Sequence, residues 1–144
     1  MEVRRINHRD TYSIRQKILR PNGDESDCQF EGDNDDQTFH LGAYSDGKLV
    51  SIASFFFERH PMFDEPYQFR LRGMATLEEY RKQGLSAALL NRGFPIVKQN
   101  QCHLVWCNAR KEAAGFYLKN GFEKIGDEFE IEGIGPHLLM VKKL

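Results

Sequence analysis

Between Tyr67 and Leu90 the spacing of apolar residues changes its period. Tyr67, Phe69 and Leu71 alternate with Gln68, Arg70 and Arg72, which predicts a strand running to Thr76. From Leu85 the apolar residues Leu85, Leu89 and Ile96 take helical spacing. A short turn separates the two, and Gly84 opens the helix. A strand joined this tightly to a helix constrains the chain to a layered α/β arrangement. The first four N–H groups of such a helix lack intrahelical partners, and the helix dipole adds positive charge there. Arg81, Gln83, Gly84 and Ser86 stand at that end, which is a site suited to phosphate.

The remaining elements follow from similar signals. Glu2 to Ile6 reads as a strand, and Asn7 caps a helix to about Leu19 that Arg20-Pro21-Asn22-Gly23 stops. Gln37–Tyr44 and Leu49–Glu58 form a hairpin about Asp46-Gly47. Phe55-Phe56-Phe57 implies a strand covered on both sides. Pro95 predicts a kink or break near Gly93–Pro95, since proline in a helix interior costs about 3 kcal/mol. His103–Cys107 is a strand, and Arg110–Asn120 is a helix closed by Asn120-Gly121. Phe122–Ile131 and His137–Val141 are the last strands, and the final one either pairs across a dimer or stays an unpaired edge. The order is β-α-β-β-β-α-β-α-β-β, a mixed α/β sandwich. Its 144 residues suit a single domain over 1–144.

Bulk properties exclude some classes of partner. The net charge is −1, which points to neither a nucleic-acid nor a membrane partner. No apolar run is long enough to span a bilayer, and Met-Glu-Val-Arg-Arg lacks a signal region, so a cytoplasmic protein is expected. Three cysteines make no disulfide framework; Cys102 and Cys107 are expected on opposite faces of one strand, as small buried hydrophobes. His8, His40, His60, His103 and His137 are scattered, and no metal-binding spacing exists. Residues 21–36 carry Asp24, Glu25, Asp27, Glu31, Asp33, Asp35 and Asp36 with no Lys or Arg. They make either a solvated loop or a rim that attracts a cationic substrate.

Arg81-Lys82-Gln83-Gly84-Leu85-Ser86 resembles the pyrophosphate loop of the GNAT superfamily of N-acetyltransferases. Gly73-Met74-Ala75-Thr76 precedes it as that family's strand end does, and Phe116-Tyr117-Leu118-Lys119-Asn120-Gly121-Phe122 resembles a later family segment. The likeness covers residues 37–144. Leu19-Arg20-Pro21 and Gly133-Ile134-Gly135-Pro136-His137 are similar to an ElaA-like branch. Gly-x-Gly-x-x-Gly and Gly-x-x-x-x-Gly-Lys-Ser/Thr, the alternative phosphate motifs, are both missing.

The resemblance implies a mostly antiparallel central sheet with helices on both faces, and splayed strands forming a coenzyme A cleft. It implies acetyl-coenzyme A as co-substrate, no metal, and transfer to a primary amine by direct attack in a ternary complex. The acceptor would be a small-molecule or peptide amine, a cationic one if the acidic loop attracts it, and the protein a monomer or homodimer. The alternative is a non-catalytic coenzyme A-binding sensor or interaction module. Met74, Ala75 and Thr76 would bond the pantetheine arm, while Arg81, Lys82, Gln83, Gly84, Leu85, Ser86 and Ala87 hold the diphosphate, with Phe116 beside the coenzyme. Many family members carry Asn seven residues before the tyrosine; here Arg110 stands there and Asn108 lies two residues earlier, both as coenzyme contacts. Tyr117 matches the family's general acid. As a phenol with a reference pKa of about 10 it is protonated at neutral pH. For the general base, His137 is the candidate carried by the resemblance, beside Glu58, His60, Glu78, Glu79 and His40.

Overall fold

The computed structural model describes residues 1–144. A seven-stranded sheet of order β1-β2-β3-β4-β5-β7-β6 forms the centre. The strands are β1 (Glu2–Ile6), β2 (Phe39–Ser45), β3 (Lys48–Phe57), β4 (Phe69–Thr76), β5 (Leu104–Arg110), β6 (Glu123–Ile131) and β7 (Gly135–Lys143). All neighbours are antiparallel except β4 and β5, which run parallel. Asp46 and Gly47, both at positive φ, make the tight turn between β2 and β3 that Asp-Gly favours.

Helical turns fill the segment after β1. A 3-10 turn (His8–Thr11) leads into α1 (Tyr12–Ile14) and a π turn (Arg15–Leu19). The Asn7 side chain accepts from the Arg9 N–H, and Asp10 reciprocates to the Asn7 N–H, closing a capping box. Two further helices are α2 (Leu85–Gln99) and α3 (Ala114–Lys119). The alternation of β3 sorts these elements. Phe55 faces α2 through Gly93, while Ser54 on the opposite face receives a hydrogen bond from Arg15. Helices therefore cover both faces. No helix is long and apolar enough to cross a membrane.

Three expectations are corrected. Helix α2 continues unbroken through Pro95. Both Pro95 and Asn91, whose carbonyl loses its partner, lie on the exposed side, where water satisfies that oxygen. Val97 rather than Ile96 completes the buried stripe with Leu85, Leu89 and Gly93. The last strand is interior, because β7 lies between β5 and β6 and spends both edges there. At this end of the sheet the edge strand is β6, which carries Glu123, Lys124, Asp127, Glu128 and Glu130, charges that discourage pairing with another sheet edge.

Gly93 is required by close approach. A Cβ there would stand 2.4 Å from Cζ of Phe55, a ring with no exposed surface and a stacked partner in Phe39. Gly93→Ala is therefore expected to destabilise by about 1–3 kcal/mol through overpacking. An open helical site would instead gain about 0.5–1 kcal/mol. A denaturant midpoint that rises in the variant would show that the ring has room to move.

Candidate active site

Strands β4 and β5 share a ladder only at Phe69–Val105 and Arg70–Trp106. Beyond Arg70 and Trp106 they separate. The cause is visible in β4, where Ser54 pairs with Arg72 but Ile52 pairs with Ala75, so β4 holds one extra residue. Gly73 takes φ +68 at this bulge. A bulge bends its strand and raises local twist, and here it turns β4 away from β5. The lone glycine inside a strand pattern is the sequence signal for it. The splayed cleft expected between these strands is present.

The turn after β4 is built for a helix start. Lys82 (φ +61) and Gly84 (φ +76) are both left-handed, and Gly84 is the N-cap of α2. The first helical bond runs from the Ala88 N–H to the Gly84 carbonyl at 3.0 Å. The N–H groups of Leu85, Ser86 and Ala87 precede it and have no intrahelical acceptor. Ser51, Thr76 and Ser86 form a hydroxyl chain (2.7 and 3.2 Å) that ties this helix start to the strand end. Arg81 donates from Nε to the Thr76 carbonyl at 3.4 Å.

Three cavities run in series from this turn. The first, about 200 Å³, has Thr76, Arg81, Lys82, Gly84, Leu85, Ser86, Ala87 and Phe116 in its wall. The second, about 280 Å³, shares Thr76, Arg81, Ser86 and Phe116 with it and adds Met74, Ala75, Ala113 and Tyr117. The third, about 320 Å³, shares Met74, Ala113 and Tyr117 with the second and reaches Asn108, Arg110 and His137. Of the residues expected at the site, the geometry leaves out Gln83 alone, which is exposed and borders none of the three. Asn108 and Arg110 lie on the inner cavity rather than beside the turn, and Arg110 donates to the Leu19 carbonyl at 3.3 Å.

Tyr117 sits at the junction of the second and third cavities. Its ring packs edge-on against Phe116 and Phe122, and its hydroxyl meets the Met74 thioether at 3.8 Å. Burial, with the neighbouring Cys107 second, pushes the phenol well above its ordinary pKa, so it holds its proton. Burial likewise raises the Cys107 thiol to about 12, so no thiolate nucleophile forms there.

The base candidates separate by position. His137 is buried at the inner cavity, opposite Arg110 across the β5–β7 ladder. Its Nδ1 lies 2.8 Å from the Gly135 carbonyl, and a carbonyl only accepts, so Nδ1 carries the proton and Nε2 is the basic atom. The others lie outside this cavity. Glu58 pairs with Arg70, His60 stacks edge-on against Trp106, and Glu78 and Glu79 are exposed on a 3-10 turn. His40 is buried between the Ser54 hydroxyl and the Asp33 carbonyl, and burial lowers its pKa.

The acidic segment divides into three roles. Asp24 and Asp27 close a capping box on the 3-10 turn Glu25–Cys28. Asp33 is buried and receives two hydrogen bonds from the guanidinium of Arg15, at 2.7 and 2.9 Å. Glu31, Asp35 and Asp36 border an open depression, with Glu58, and Glu25 borders another beside His8 and Arg9. Three of the seven acids, Asp24, Asp27 and Asp33, are thus spent on a local cap and a core ion pair.

This sheet, split between its two parallel strands beside a helix start, is the fold of N-acetyltransferases. It superposes on ElaA of Escherichia coli with a TM-score of 0.75, at 16% identity over 99% of both chains. It superposes on an aminoglycoside 6'-N-acetyltransferase complexed with coenzyme A at 0.76, with 14% identity over 99% of this chain and 97% of that one. A model of the acetyltransferase (GNAT) family matches residues 2–122, and the chain belongs to that family. It is 42% identical over 144 residues to YitI of Bacillus subtilis strain 168, described as an uncharacterised N-acetyltransferase, covering 100% of this chain and 97% of that one. Acyl transfer is the chemistry of the family, and the fold expected from the resemblance is the one observed.

Proposed function

We propose that residues 1–144 act as one acyltransferase unit that moves an acetyl group from acetyl-coenzyme A to a primary amine, by direct attack in a ternary complex. The observation that carries this reading is the set of three adjoining cavities, each sharing wall residues with the next, from the α2 start to Tyr117 and His137. The N–H groups of Leu85, Ser86 and Ala87, with Arg81 and Lys82, receive the diphosphate. The pantetheine arm lies along Met74–Thr76, whose side toward β5 has no strand partner. A backbone N–H there faces the thioester oxygen as charge develops on it, a preorganised donor that needs no reorientation.

An ordinary alkyl amine has a pKa of about 10.4, so presenting it neutral at pH 7 costs roughly 4.6 kcal/mol. Nε2 of His137 takes that proton. The amine nitrogen bonds to the thioester carbon, the carbon–sulfur bond breaks, the phenol of Tyr117 donates to the departing sulfur, and the second proton shed by the acylated nitrogen restores that phenol while the proton on His137 leaves to solvent. The products are an amide and coenzyme A.

Calorimetric titration with acetyl-coenzyme A and coenzyme A tests the first half. A Cβ at Gly84 would meet nothing within 4 Å, so the space ahead of it is open for phosphate, while its φ of +76 disfavours any other residue. Gly84→Glu strains the turn and puts a carboxylate beside the diphosphate; affinity is expected to fall about tenfold or more. Equal affinity in the variant, or no binding by the intact folded chain, sinks the proposal.

A further inference from the structure

We infer that the acceptor amine carries an anionic group, a carboxylate or phosphate, received by Arg20, Arg72 and Arg110 in the cavity beyond Met74 and Tyr117. This rests on the acyl-transfer reading above and names the class of acceptor for it.

The inner cavity is bordered by Arg20, Arg70, Arg72 and Arg110 and by no carboxylate. Some nearby cations are already answered. Arg70 pairs with Glu58 at 3.2 Å, and Arg15 behind the wall pairs with Asp33 at 2.7 Å. The remaining three are not. Arg20 and Arg110 each donate to the Leu19 carbonyl, at 3.0 and 3.3 Å. Arg72 makes no ion pair; its guanidinium lies 4.1 Å from the centre of the Phe30 ring, and Arg15 lies 3.9 Å from the same centre. A guanidinium has five N–H donors in a planar fork suited to carboxylate and phosphate. Most of those donors are unspent here.

The electrostatic balance points the same way. Burial lowers the Arg72 pKa to about 10, and Arg70, Arg20 and Arg15 push it further down than Glu58 pushes it up. It stays charged at neutral pH, so the cavity presents half-buried positive charge with no ion-pair partner. Such charge is costly unless an opposite charge arrives. An anion on the substrate supplies it.

Position fixes the orientation. The arginines line the face of the sheet that carries Phe30, since Arg72 pairs with Ser54 and shares its face. Tyr117, Met74 and His137 border the same cavity at the strand gap. A small molecule of two ends fits: anion among the arginines, amine toward the gap. At about 320 Å³ the space is sized for a small molecule rather than a folded protein. The acidic depression at Glu31, Asp35, Asp36 and Glu58 touches neither Met74 nor Tyr117 and meets the cavity only across Arg70 and Arg72. A diamine reaching that depression is the competing outcome.

The test uses the full chain with acetyl-coenzyme A, following thiol release with γ-aminobutyrate, O-phosphoethanolamine, butylamine and putrescine. Coenzyme A binding is measured first; its absence overturns the acyl-transfer reading itself, which separates that failure from this one. The expected result is kcat/KM for γ-aminobutyrate or O-phosphoethanolamine about tenfold or more above butylamine and putrescine, as charge-assisted hydrogen bonds warrant. Which anion leads distinguishes carboxylate from phosphate. In Arg72→Gln the ratio of anionic to neutral turnover should collapse about tenfold, with Arg72→Lys restoring part of it. If Arg72→Gln fails to fold, Arg110→Gln reads the same ratio. Preference for butylamine or putrescine overturns the inference, as does a ratio unmoved in these variants. Should no amine turn over, the two anionic amines are titrated into coenzyme A-saturated protein. Heat that is lost in the arginine variant supports the inference, and no heat overturns it.

Discussion

Tyr117→Phe is expected to lower kcat by about 10²-fold or more while leaving coenzyme A affinity nearly unchanged. The substitution removes one oxygen from a ring that packs against Phe116 and Phe122 and is almost fully buried. Those contacts survive in phenylalanine, so the fold and the cleft stay in place. What is lost is the proton donor beside the strand gap. Its only hydrogen-bond partner is the Met74 sulfur, a weak acceptor, so the hydroxyl is free for a stronger one. The raised pKa does not disqualify it. A phenol that keeps its proton until the carbon–sulfur bond breaks has it available for the thiolate that departs. The expected split is a fall in kcat with KM for acetyl-coenzyme A unmoved, the pattern of an interaction made only in the transition state. Full turnover in the variant would remove Tyr117 from the mechanism. A wild-type chain that binds coenzyme A but acetylates nothing would favour the sensor alternative.

Asp33→Ala is expected to cost about 3–5 kcal/mol of stability, the range for breaking a buried ion pair from one side. Arg15 has no exposed surface, and its guanidinium bonds both Asp33 oxygens, the Cys28 carbonyl and the Ser54 hydroxyl. Asp33 also accepts from the Phe30 N–H at 2.9 Å. Truncating it strands a charge in the core and frees the loop that carries Phe30 into the wall of the inner cavity. Total stability of a domain is about 5–15 kcal/mol, so the variant should be near its limit at 37 °C. Urea melts measure the loss. Replacing both partners together, Arg15→Met with Asp33→Leu, should recover part of it, because no charge is then left unpaired. A single variant within about 1 kcal/mol of wild type would mean that water reaches Arg15.

The order of elements was legible because each rests on short-range chemistry. Asn7 with Asp10, Asp46-Gly47 and Asn120-Gly121 are turn and cap signals whose partners lie within a few residues. The cleft was legible through family likeness in Gly73–Thr76 and Arg81–Ser86. Pro95 misled because its cost depends on which side of α2 it faces, a matter of packing. Residues 21–36 read as either a solvated loop or an acidic rim, and neither reading anticipates that Asp33 is buried against Arg15, eighteen positions away. Arg72 looked like the polar half of an alternating strand. Its mid-sheet place between β3 and the opening toward β5 makes it half-buried instead.

By itself the sequence determined which segments become strands and helices, the phosphate-suited start of α2 and the tyrosine at the later helix. These depend on backbone propensity, caps and spacing, which act over one or two turns. Only the tertiary structure decided where β4 leaves β5, that β7 is interior, that His137 and Tyr117 border one cavity, and that Arg20, Arg72 and Arg110 converge there with no ion-pair partner. Those facts join residues from distant parts of the chain. Burial and charge at a point in space depend on everything that surrounds it, and no local pattern records that.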